Sequence, residues 1–170
     1  VKEAVKAGAL GFSTSRSPAH RTSDDRQVAS RAADFAEVKT LVHAMGELDA
    51  GIFQLAMERG DADYVLQNYT DLKNLSIDSG RPITFGSLSR RETPGLWRDC
   101  YKVIEEGNRE GARLFTQVHS REINSVMSFE TNLPFDTWDV WRDIRALPLE
   151  QQKKADRKST RLNSSHRTIS

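Results

Sequence analysis

The chain of 170 residues has a single cysteine, Cys100, which excludes a disulfide framework and any CxxC metal or redox pair. It has no apolar run near the eighteen residues that a membrane-spanning helix needs. Its amino end lacks the charged, apolar and small-residue succession of a secretory signal. No GxGxxG and no Walker-type Gly-Lys-Ser/Thr follows any strand-like run, so the common phosphate cradles are missing. Charge of one sign is missing too: 25 Lys and Arg stand against 24 Asp and Glu. Four basic residues lie in the last fifteen, which leaves residues 1–155 slightly acidic and nucleic-acid binding without electrostatic support. Without a signal, a membrane span or paired cysteines, the default expectation is a cytoplasmic protein that engages neither membrane nor nucleic acid.

What is present is enough for a core, with 37% hydrophobic and 8% aromatic residues. Four short apolar or β-branched runs, GALGFST (8–14), GIFQLA (51–56), PITFGSL (82–88) and RLFTQVHS (113–120), each follow Gly or Pro closely and read as buried strands. Between them lie helix-length segments with apolar residues three and four apart. The first runs through Phe35, Val38, Leu41, Val42, Met45 and Leu48, the second from Tyr64 to Ile77, and the third from Leu96 to Ile104. Asp34 suits the cap of the first helix and Asp61 or Asp63 that of the second, while Gly80 and Pro82 punctuate the second helix's end. Ile52 to Ile83 is 31 residues and Ile83 to Leu114 is 31 again, the length of a strand, a crossover helix and two loops. The expected fold class is therefore α/β with parallel strands, as about four consecutive βα units. A partial (β/α)8 TIM-type barrel and a doubly wound sheet both satisfy it.

In either fold ligands meet the carboxyl ends of the strands. That makes candidates of Ser13, Thr14, Ser15 and Arg16 after the first strand, and of Gln54, Met57 and Glu58 after the second. Gly86, Ser87 and Ser89 follow the third, and Gln117, His119, Ser120, Arg121 and Glu122 the fourth. Polar groups at buried strand ends need partners, because each unpaired one costs about 1–3 kcal/mol; a ligand site is one source of partners and helix capping is another. The loop STSRSPAHRTSDDRQV is sixteen residues long and almost without apolar groups, and loops of that length are functional or disordered. Arg16 and Arg21 have the planar fork that holds a carboxylate. His20 suits a metal ligand, a proton carrier, a substrate contact or a solvated side chain. His119 projects at the rim beside Gln117 and Arg121, as a site residue or as a histidine satisfied by a carbonyl. His43 and Cys100 sit at helical core spacing and are expected to be structural, and the pairs Asp24-Asp25 and Glu105-Glu106 to be solvated.

Both ends carry expectations of their own. VKEAVKAGA begins with Val1 and reads as the end of an amphipathic helix running into Gly8, as though the chain were entered partway through an element. At the other end, DRKSTRLNSSHRTIS has only Leu162 and Ile169 as apolar side chains and no periodicity. Residues 156–166 resemble the translation of a common sequencing-library adaptor. The expected division is thus a barrel segment over 1–155 and a non-native, disordered tail over 156–170, with the isolated segment inactive.

Taken together, EAVKAGALGFSTSRSPAHRTSDDRQV, GELDAGIFQLA, SGRPITFGSL, GARLFTQVHSREI and NLPFDTWDVWRDIRALPLEQQ resemble the amidohydrolase superfamily, in its N-acyl-D-amino-acid deacylase (D-aminoacylase-like) branch, over residues 1 to about 155. The resemblance implies a zinc-dependent hydrolase on a (β/α)8 barrel that cleaves the amide of N-acylated amino acids or similar linear amides. Family ligands are an HxH pair on the first strand, histidines on the fifth and sixth, and an aspartate on the last. With GALGFST as the fourth strand, the HxH pair and the aspartate fall outside these residues, and Gln54 and Gly86 stand where histidine is expected. On position and resemblance, Arg16, His20, Gln54 and Arg121 are the candidate substrate contacts and His119 the candidate metal ligand. A binding barrel that has lost its metal ligands is the alternative.

Overall fold

The computed structural model describes residues 1–17, 20–22, 24, 26–56, 58, 60–87, 93–122, 124, 126, 133, 135, 136 and 138–155. The tail over 156–170, Met57 and Ser89 lie outside the described residues. Element order is α1 (Lys2–Lys6), β1 (Gly11–Thr14), α2 (Phe35–Gly46), β2 (Ile52–Leu55), α3 (Ala62–Ser79), β3 (Ile83–Gly86), α4 (Leu96–Arg109), β4 (Leu114–Gln117) and α5 (Asp139–Arg145). All four expected strands form, each trimmed to four residues. No helix among the described residues is long and apolar enough to cross a membrane.

The helices begin and end where local chemistry dictates. Asp34 accepts a hydrogen bond from the Glu37 amide and Asp61 from the Tyr64 amide, both at 2.8 Å, so Asp61 rather than Asp63 caps α3. Gly80 ends α3 in the left-handed conformation with φ 68°, a region that L side chains enter at a cost.

The strands pair parallel in the order β1-β2-β3-β4. Among the described residues the strand order does not reverse, so the topological switch point that defines a doubly wound sheet is not among them. Crossovers of one common hand, the rule for parallel neighbours, bring α2, α3 and α4 to one face. Burial agrees. Phe53, Leu55, Ile83, Phe85 and Leu114 share one core with Val38, Val42 and Met45 of α2, Leu72 and Leu75 of α3, and Cys100 and Ile104 of α4. Their strand neighbours point the other way, where Ile52 is 48% and Phe115 57% exposed.

At the amino end of the sheet the packing is close. A Cβ on Gly46 would stand 2.5 Å from the Ser79 carbonyl oxygen, so the feet of α2 and α3 meet backbone to backbone. The buried Ser76 hydroxyl donates to the Arg81 carbonyl at 2.9 Å and accepts from the Arg113 amide at 2.8 Å. One side chain of α3 thereby ties the lead-ins of β3 and β4 together.

Residues from Arg121 onward form a second compact unit. Within it the Asp136 carboxylate accepts from the Leu133 amide at 2.8 Å and from Trp141 Nε1 at 2.9 Å, and pairs with Arg145 Nε at 3.0 Å. Phe135 packs edge-on against Trp141 with centroids 4.7 Å apart.

Ser76→Ala should lower unfolding free energy by about 1–3 kcal/mol, because it strips partners from two backbone groups while removing little volume. Urea denaturation checks this, and an unchanged midpoint would remove Ser76 as the tie.

Candidate functional site

Strand alternation sorts the candidate residues between the two faces. On the face away from the helices, Ser13 of β1, Gln54 of β2 and Thr84 of β3 lie side by side in register. The Ser13 hydroxyl donates to Gln54 Oε1. One step further along, Gln117 of β4 donates from Nε2 to Thr84 Oγ1 at 3.1 Å. The row therefore consists of two fixed side-chain amides, each oriented by a hydroxyl. Gln54 has its oxygen engaged and its N–H groups available; Gln117 has a nitrogen engaged and its carbonyl available.

Ser13, His20 and Gln54, with Phe12 of β1 and Glu37 and Leu41 of α2, line one open cleft that wraps around the β1 edge toward α2. The long loop that brings His20 there has structure of its own. Residues Ala29–Arg31 make a 3-10 turn, Arg21 and Gln27 form an antiparallel bridge, and the Ser30 hydroxyl donates to the Ser15 carbonyl at 2.7 Å. Inside the bridge the Thr22 hydroxyl donates to Asp24 at 2.5 Å and Arg26 Nε pairs with it at 2.6 Å. Those two partners, Thr22 first, hold the Asp24 carboxyl below the usual carboxylate range.

Arg16 goes elsewhere. It lines a second groove with Phe35, Glu58, Tyr64 and Asp71. There its Nε lies 3.1 Å from Glu58 Oε1 and its Nη2 donates to the Tyr64 hydroxyl at 3.3 Å. Tyr64 in turn donates to Glu58 Oε2. The Glu58 side chain is 5% exposed, and a carboxylate that deeply buried requires a counter-charge. The guanidinium is thus engaged by the protein's own carboxylate. Tyr64 is pushed above the ordinary tyrosine range, first by burial and then by the hydrogen bond and charge of Glu58.

The structure therefore brings His20 and Gln54 to one cleft and sets Arg16 in another. His119 is exposed just past β4, and Arg121 is exposed in the second unit. Among the described residues no group of three or more His, Cys, Asp and Glu side chains is placed to hold a metal ion. The described donor residues do not by themselves assemble a zinc site. His43 is half-buried on α2. Cys100 is buried on α4, its thiol raised by burial and then by Asp99.

Two contributors escape a reading by residue type. Thr84 sits in the apolar run ITFG, and only the two-residue period of a strand shows that it faces opposite to Ile83 and Phe85. Tyr64 reads as an apolar helix position, yet it is the third residue after the Asp61 cap. Its hydroxyl reaches the loops before the helix. Comparison of the chain with protein-family models, curated proteins and solved structures finds no match.

Glu58→Gln should move the Tyr64 titration down toward the ordinary tyrosine value of about 10, since both the charge and the hydrogen bond of the carboxylate favour the neutral phenol. The fold holds this proton more tightly than the unfolded chain does. Its stabilising contribution is thus complete below the unfolded-state value and is lost as pH rises through the folded one. Ultraviolet difference titration checks the shift, and an unmoved midpoint would contradict it.

Proposed function

We propose that these residues supply consecutive βα units of an amidohydrolase-type (β/α)8 barrel that hydrolyses linear amides of the N-acyl amino acid class, with the Ser13–Gln54 cleft as part of its substrate surface. The observation that carries the reading is the uniform winding of β1 to β4. Helices α2, α3 and α4 lie on one side and a row of oriented polar side chains on the other, as the lumen of such a barrel requires. A secondary amide offers one carbonyl acceptor and one N–H donor. The available N–H groups of Gln54 complement the first and the available carbonyl of Gln117 the second. His20, on the wall of the same cleft, is placed for contact with the acyl or carboxylate end. Arg121 as a further substrate contact and His119 as a metal ligand enter this reading by position and resemblance alone.

Zinc belongs to the proposal through the resemblance alone. When bound in an enzyme of this type it supplies an activated water for attack on the carbonyl. The residues present do not form its site, so what this chain contributes is recognition and orientation of the amide. A cytoplasmic setting is part of the same reading, supported by the lone, buried Cys100.

A second reading, a non-hydrolytic binding barrel, is favoured by Gln54 and Gly86 at strand ends where the resemblance leads one to expect histidine. Metal content of a purified full-length relative, which carries the strands that would supply the remaining ligands, separates the two, since the hydrolase reading expects zinc to be retained there and the binding barrel does not.

N-acetylglycine should shift the side-chain amide resonances of Gln54 and Gln117 saturably, and Gln54→Leu should weaken its binding about tenfold or more. Equal shifts with propionate, which has no amide, would sink the amide reading.

A further inference from the structure

Glu58 sits on the segment after β2, but two of its partners come from other segments. Arg16 follows β1 and Tyr64 belongs to the first turn of α3. The three side chains close a triangle, because Arg16 Nη2 also meets the Tyr64 hydroxyl at 3.3 Å. Glu58 is the buried corner. The groove around it also holds Asp71, so the local balance is acidic and Arg16 serves the protein's own carboxylate better than it would an incoming anion.

Arg16 is also the root of the loop that reaches His20. From that root the fastenings among the described residues include Ser30 on the Ser15 carbonyl and the Arg21–Gln27 bridge. Each of these joins the loop only to its own base or to itself. Arg16 is where it is fastened to the next βα unit by charge. A segment whose ends are held at its own base is still free to tilt as a body about that base. A charge-assisted contact to a neighbouring unit removes that freedom.

We propose that Glu58 is a positioning residue that acts through Arg16, with Tyr64 as brace, to hold the loop of residues 15–30 so that His20 stands on the wall of the Ser13–Gln54 cleft. The role in substrate binding rests on the reading of that cleft given above; the fastening of the loop does not.

The test uses the intact chain, hydrogen exchange by mass spectrometry, and N-acetylglycine as probe. Glu58→Gln should speed exchange within residues 15–30 about 10- to 100-fold, as expected when Arg16 loses its buried charge partner, while Leu72 to Phe85 exchanges as before. It should also weaken N-acetylglycine. Tyr64→Phe, which keeps the Arg16–Glu58 pair, should loosen the same segment by less, and it decides the matter if Glu58→Gln unfolds. Exchange in 15–30 unchanged in the folded variants overturns the proposal. Loosened exchange with N-acetylglycine binding unaffected by Gln54→Leu leaves the fastening standing and removes the cleft reading.

Discussion

Parallel pairing of neighbours in chain order is the constraint on which the rest depends. Once β1, β2, β3 and β4 lie side by side in sequence and point the same way, each connection must return over the sheet. A common hand of crossover then puts α2, α3 and α4 on one side. Every other consequence follows from that asymmetry. The helix-facing residues become a core of Phe53, Leu55, Ile83, Phe85 and Leu114, and the alternate positions are released from packing. Released positions carry Ser13, Gln54, Thr84 and Gln117 at the carboxyl half, where a doubly covered sheet would demand apolar side chains.

Much of this could be read before any coordinates. The equal spacing from Ile52 to Ile83 to Leu114 specified repeated βα units, and Asp34, Asp61 and Gly80 marked the helix ends through chemistry that acts within one turn. Choosing between a uniformly wound and a doubly wound sheet was beyond such reasoning. Strand order is a long-range property, and a crossover of a given length serves either arrangement.

The candidate site was legible in position but not in partnership. Arg16, His20 and Gln54, all candidates at the carboxyl ends of strands, divide between two grooves. The physical reason is competition. A guanidinium near a buried carboxylate is drawn to it, and nothing within the segment STSR announces that Glu58, more than forty residues on, would be within reach. The same holds for Thr84, whose hydroxyl matters only because Gln117 arrives from a strand thirty residues later. Short-range signals determine elements; charge and hydrogen-bond partners are determined by which elements become neighbours.

The two ends of the sheet are built differently. At the amino end, Gly46 lies against the Ser79 backbone and Ser76 clamps two strand lead-ins. At the carboxyl end the connections between units run through side chains such as Arg16, Glu58 and Tyr64. Layers sewn tightly at the hem and laced loosely at the collar fan out only at the collar. Thermal breathing of this unit is therefore expected to open its carboxyl end before its amino end.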